Sequence, residues 1–141
     1  DTLAGEVVRF NVATTGVRDI PGTLASIQDK LIAEPDIDGI LALNPNIADA
    51  AMQAIEAVGG SQKLATFDLS PDVLEAIEAG KMMFAVDQQQ YLQGYLPVVF
   101  LYLYNANANT VGGGLPVLTG PGIVDASNAA AVKDLAAAGT R

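Results

Sequence analysis

The chain has 141 residues, half of them hydrophobic and 16% charged, with 16 acids against 7 bases and a formal net charge of -9. That length suits one domain with one hydrophobic core, and the apolar share excludes a disordered chain. The acidic balance, with no Lys/Arg cluster to offset it, disfavours nucleic-acid binding, and the lack of cysteine and histidine excludes disulfides, thiol nucleophiles, histidine acid–base chemistry and the common zinc sites.

Strand-like and helix-like segments alternate along the chain. Residues 1–10 lack a basic start and a long apolar core, so no leader peptide is expected there, as in a mature or cut chain. Residues 6–12, rich in Val and Phe, predict a strand. Residues 21–33 predict a helix, with Leu24, Ile27, Leu31 and Ile32 at helical spacing and Pro21 in its first turn. The short apolar run at 38–43 predicts a strand buried on both faces. A helix is expected over 46–58, with Ala50, Ala51, Ala54 and Ile55 on one side and Gly59-Gly60 as its stop. A strand over 63–67 and a helix over 71–79 follow, the helix capped by Ser70 and ended at Gly80. The remaining expectations are a strand over 82–86, a helix over 91–104, a polar Gly-rich loop over 105–114, a short strand over 115–118 and an Ala-rich helix over 126–138. The longest apolar stretch, Tyr95 to Tyr104, is too short to span a bilayer.

Repeated β–α units predict an α/β fold: a parallel sheet with helices on both faces and right-handed crossovers. Ligands of such folds bind beyond the carboxyl ends of the strands. The residues there are 13–19, Asn44-Pro45-Asn46, Asp68 and Asp87-Gln88-Gln89-Gln90. Asn44, Asp68 and Gln88 end three successive strands, so one pocket can collect all three. A carboxylate accepts hydroxyl hydrogens, and the two amides donate and accept, which matches vicinal hydroxyls. Arg18, in the first loop, offers a donor to a sugar oxygen or a carboxylate. The same residue types also serve as ordinary turn residues and N-caps. Gly112-Gly113-Gly114 lacks the lysine and helix start of a phosphate loop and is expected to be a flexible loop. Asp36 and Asp38 lack the rest of a calcium loop and are expected to form a turn.

Four runs carry a resemblance to a known family: Glu34-Pro35-Asp36-Ile37-Asp38-Gly39-Ile40-Leu41-Ala42-Leu43-Asn44; Ala65-Thr66-Phe67-Asp68 with the helix Val73 to Gly80; Ala85-Val86-Asp87-Gln88-Gln89-Gln90-Tyr91-Leu92-Gln93-Gly94-Tyr95; and Leu118-Thr119-Gly120-Pro121-Gly122-Ile123-Val124. In order and spacing they resemble the type I periplasmic sugar-binding proteins of ABC importers, the ribose-binding family. The resemblance implies the C-terminal lobe of a periplasmic-binding-protein-like I fold, a three-layer αβα, Rossmann-like sandwich. It implies that Asn44, Asp68 and Gln88 contact a sugar or polyol, with Arg18 nearest by spacing to a further contact in the first loop. It implies a periplasmic substrate-binding component that closes two lobes on its ligand and is read by the importer's membrane subunits, with no catalysis and no cofactor.

Family members have two lobes and about twice this length. Against that pattern, the chain reads as one incomplete C-terminal lobe over 1–141. Residues 1–90 form the lobe core, 91–110 a crossover helix that packs on the other lobe, and 111–141 a return segment with a terminal helix. The preceding lobe, the first strand of this lobe and a usual sugar-contacting arginine have no counterpart. The crossover segment Tyr91 to Tyr104 is apolar nearly all round, with Pro97 inside it. Such a helix must be buried on every side. It predicts a homodimer or pairing with the other lobe through this segment; the alternative is the centre of a rearranged core. Two rival functions share the architecture. One is the effector-binding core of a lac-repressor-like transcription regulator, which the acidic charge and missing helix-turn-helix oppose. The other is a small flavodoxin-like or nucleotide-dependent enzyme, for which no phosphate loop or catalytic pair is present.

Overall fold

In the computed structural model the chain is described over residues 18–141; the strand expected at residues 6–12 lies outside the described residues. The elements run α1 (Ile20–Ala33), β1 (Gly39–Ala42), α2 (Pro45–Ala57), β2 (Lys63–Phe67), α3 (Pro71–Glu78), β3 (Phe84–Asp87), α4 (Gln90–Asn107), β4 (Gly122–Asp125) and α5 (Ala129–Ala137). Three helices start the way their sequences dictate. Each has a capping side chain followed by a proline, whose missing N–H costs nothing in a first turn. Asp19 accepts from the Gly22 amide at 3.0 Å, Asn44 from the Asn46 amide at 2.9 Å, and Ser70 from the Val73 amide at 3.1 Å. Helix α2 stops at Gly59, whose φ of 65° suits a residue without a Cβ, and the Gly60 amide closes the turn on Ile55 O at 2.9 Å.

The sheet has the order β1-β2-β3-β4 among the described residues. β1, β2 and β3 are parallel, whereas β4 runs antiparallel to β3, with Asp87 opposite Gly122. Two expectations change here. The strand lies at 122–125 rather than 115–118, and it is not parallel. The reason is where the chain re-enters. α4 leaves from the carboxyl end of β3, and the return segment comes back to that same end. There the Thr119 hydroxyl donates to Gln88 O at 2.9 Å. A strand that starts beside the end of its neighbour can only run the other way.

β1, β2 and β3 advance across the sheet in one direction, so right-handed crossovers put α2 and α3 on the same face. α1 packs on α2, and α5 on α3. Beneath these helices lie Ala42, Leu64, Thr66, Ala85 and Val124, all buried, against Ala51, Ala54, Leu74 and Ile77. Alternate residues point to the other face. There Leu41 is 54% and Ile123 51% exposed. β1 is therefore not buried on both faces as its apolar run predicts. The described helices α1, α2, α3 and α5 form a single layer, and that layer covers only one side.

Candidate functional site

The carboxyl edge of the parallel strands is where the sequence-predicted residues collect. Ala42 pairs with Thr66 in register, so Asn44 and Asp68, each two positions further on, open neighbouring loops on strands about 4.8 Å apart. Thr66 pairs with Ala85, which carries Gln88 to the same edge from β3.

Asp68 sits in the left-handed region with φ 68°, a conformation that aspartate tolerates better than most residues. Its amide donates to Val86 O at 2.9 Å, which fixes that turn to β3. Its carboxylate is thereby aimed along the edge, where Oδ1 accepts from Gln88 Nε2 at 2.8 Å. Gln88 is itself held by its backbone. Its carbonyl accepts from the Thr119 hydroxyl at 2.9 Å and from Gln93 Nε2 at 3.0 Å. Beside this pair lies a shallow pocket of about 290 Å³, walled by Phe67, Val86, Gln93, Leu118, Thr119 and Pro121.

The structure thus joins Asp68 and Gln88 directly. Asn44 stands at the same edge, half-buried, with its Oδ1 committed to capping α2. No hydrogen bond links it to the other two. Asp68 Oδ2, Gln88 Oε1 and Asn44 Nδ2 have no protein partner among the described residues. Those three atoms offer two acceptors and one two-hydrogen donor, a set that suits adjacent hydroxyl groups. Arg18 is exposed just before the α1 cap, and no hydrogen bond or ion pair joins it to the other three.

Three contributors, Thr119, Gln93 and Arg141, escape a reading of strand ends, and a fourth, Asp87, stands there without being singled out. Thr119 and Gln93 act through Gln88 O, and Thr119 comes from a segment 31 residues away. Asp87 is fully buried and accepts from the Gln89 amide at 2.8 Å and from Arg141 Nε at 2.7 Å. The sequence places Asp87 at a strand end, and alternation puts it on the face of buried Ala85. Arg141 carries no signal at all.

Further along the same edge, Asp49 on α2 has one carboxylate oxygen buried without a partner among the described residues. Desolvation, and then the negative Asp72 in the first turn of α3, raise its pKa above the ordinary carboxylate value. A second cavity, about 260 Å³, opens at the opposite, amino edge between Met52, Gln62, Lys63 and Lys81, remote from the Asp68–Gln88 pair.

Comparison with known proteins adds an independent line. The profile of the family described as "Periplasmic binding protein domain" matches residues 3–108. Among solved structures, a carbohydrate transporter from Acidothermus cellulolyticus 11B in complex with myo-inositol superposes with a TM-score of 0.83. It is 45% identical and covers 87% of this chain and 43% of its own. The Caulobacter myo-inositol binding protein bound to myo-inositol has a TM-score of 0.67 at 26% identity, covering 79% of this chain and 38% of its own. The ribose import binding protein of Haemophilus influenzae is 31% identical over 93 residues, which is 64% of this chain and 32% of that protein. The chain spans less than half the length of each of these relatives.

Proposed function

The chain belongs to the periplasmic binding protein family, and from that premise we propose that it is the ligand-reading lobe of the substrate-binding component of an ABC importer, specific for a sugar or cyclic polyol. The carrying observation is the 2.8 Å hydrogen bond from Gln88 Nε2 to Asp68 Oδ1 at two adjacent strand ends. It presets a carboxylate and an amide side by side, with Asp68 Oδ2 and Gln88 Oε1 turned to a ligand. Two hydroxyls on neighbouring ring carbons donate to these oxygens, and Asn44 Nδ2 donates to a third. Charge-assisted bonds of this kind are the strong ones. The myo-inositol carried by two of the structural relatives supports a polyhydroxylated ring as the ligand class.

The reaction is binding and release, without bond making. A second lobe completes the site and clamps the ligand, and the importer's membrane subunits receive the closed form in the periplasm. α4 supports that arrangement. It has no buried residue, and Tyr91, Tyr95, Val98, Leu101, Tyr102 and Tyr104 are all exposed apolar side chains. A patch of this size marks an interaction surface, and the other lobe of the same protein is its partner here. In its absence a second copy takes that place. The rearranged-core alternative finds no support in a helix without a single buried residue.

Calorimetry with myo-inositol, pentoses and hexoses tests the proposal. The isolated chain is expected to bind at about millimolar Kd or not at all, because half of the hydrogen-bond partners are missing. The two-lobed protein is expected to bind at least a hundredfold more tightly. Absence of binding by the two-lobed protein across the whole panel overturns the ligand class.

A further inference from the structure

We propose that the ion pair between Asp87 and Arg141 is a positioning device for ligand recognition: it holds the backbone on either side of Gln88 in the one conformation that aims the Gln88 amide at Asp68. This rests on the ligand-binding role proposed for Gln88.

Three observations carry it. First, Asp87 is fully buried at the end of β3 and both carboxylate oxygens are engaged. Oδ1 accepts from the Gln89 amide at 2.8 Å, and Oδ2 from Arg141 Nε at 2.7 Å. A buried carboxylate is retained only when it is bonded and its charge is compensated. Arg141 is the cation that does this. Second, Gln89 has φ 56° and ψ 58°, the left-handed conformation, without being glycine or asparagine. Such a residue stays there only if its surroundings hold it. The Asp87 Oδ1 bond to its amide is that hold. Third, Gln88 lies between the two. Its carbonyl is gripped by Thr119 and Gln93 while its side chain reaches Asp68. Gln88 is thus fixed at both flanks and at its carbonyl, and its side-chain direction follows from the backbone.

The surroundings fit the same purpose. A Cβ on Gly120 would stand 2.9 Å from Asp87 O, and one on Gly122 would stand 3.6 Å from Arg141 Nη2. The return segment therefore passes this close to the Asp87 carbonyl only because Gly120 has no Cβ, while at Gly122 a Cβ would make ordinary contact. Arg141, β3 and the return segment meet at one carboxylate. Removing the guanidinium leaves a buried, half-satisfied charge. That charge must take up a proton, admit water or swing out, and each route loosens the Gln89 amide.

The test uses the full-length protein without ligand and needs no binding assay. Amide hydrogen exchange at Gln89 and the NMR shifts of the Gln88 side-chain amide are followed in Arg141→Ala, Arg141→Lys and Asp87→Asn, with Lys81→Ala as a control. Lys81 pairs with Glu56 at the opposite edge. Loss of one charged hydrogen bond predicts about tenfold faster exchange at Gln89 in Arg141→Ala. The Gln88 side-chain resonances should move toward those of a free amide. Arg141→Lys should recover part of both effects, and Lys81→Ala should change neither. Asp87→Asn removes the buried charge along with its need for Arg141, so it should fold even if Arg141→Ala does not. It keeps an amide oxygen for the Gln89 N–H but loses the bond to Arg141, so it should shift the Gln88 resonances in the same direction by a smaller amount. Unchanged Gln89 exchange and unchanged Gln88 resonances in the variants that fold overturn the proposal. Should the ligand class itself be wrong, these readouts still report on the pair. Should the ligand class be right, myo-inositol affinity should also fall about tenfold in the Arg141→Ala protein that folds.

Discussion

Helix α3 has eight residues and buries four of them, Val73, Leu74, Ala76 and Ile77, whereas α4 has eighteen and buries none. Both are rich in apolar side chains, so composition is not what separates them. In α3 the apolar residues form one stripe, with Asp72, Glu75 and Glu78 on the outside. A single stripe says which side faces the sheet. In α4 the apolar residues surround the axis and specify no inward side. Pro97, inside α4, also removes one backbone donor from the helix interior. The contrast shows that burial follows from the pattern of apolar residues and the presence of a partner surface, not from their number.

The largest expected effect tests that contrast directly. Leu74→Ala should cost about 3 kcal/mol, because a fully buried leucine leaves a cavity. Leu101→Ala on α4, where the side chain is 61% exposed, should stay within about 0.5 kcal/mol. Urea unfolding of the chain alone, at a concentration low enough to keep it monomeric, measures both, and equal losses would break the comparison. In the two-lobed protein the Leu101→Ala cost should rise, since there the side chain gains its cover. Light scattering of the chain alone should then show a second copy on α4, and Leu101→Asp should abolish it.

A second prediction concerns the edge rather than the helices. Asp68→Asn should weaken ligand binding by about 1.5–3 kcal/mol, the range for a hydrogen bond to a charged group. Its thermal unfolding should stay near that of the parent. The third separates the two roles of Asn44. Asn44→Ala should lose about 1 kcal/mol of stability with the cap. Asn44→Ser keeps a capping oxygen and should retain stability while still losing affinity, because it lacks the amide donor. A stable Asn44→Ser with full affinity would make Asn44 a cap only.

The smallest effect is electrostatic. The fold holds the Asp49 carboxyl above its ordinary value of 3.8 through desolvation first and Asp72 second. The folded chain therefore binds a proton that the unfolded chain has already released, and stability falls as pH rises through that window. Asp49→Asn removes the penalty. It should be more stable than the parent by about 0.5 kcal/mol at pH 7. The difference should vanish once the pH drops below about 3.8, where both states carry the proton.

Much of this was legible from local rules. The caps Ser70 and Asn44, the proline starts and the glycine stops each depend on a few neighbouring residues, and each helix from α1 to α4 lies within one to three residues of its expected span. Asp68 and Gln88 were legible because strands in a parallel sheet bring their carboxyl ends to one edge whatever the intervening loops do. β4 was not. Leu115 to Leu118 looks as strand-like as Gly122 to Asp125, and only the Thr119 and Gly120 contacts to β3 decide which segment pairs. The exposure of Leu41 was hidden too, because an apolar run reads the same whether one face is covered or both.

The sequence by itself determined the α/β alternation, the positions of most helix ends and the polar edge that carries Asn44, Asp68 and Gln88. All of these rest on interactions between residues close together in the chain or on the fixed geometry of a parallel sheet. Tertiary structure alone decided that β4 runs antiparallel and that Arg141 compensates Asp87 across 54 residues. Those outcomes depend on which distant surfaces meet, and the energy that selects them is absent from any short stretch of the chain.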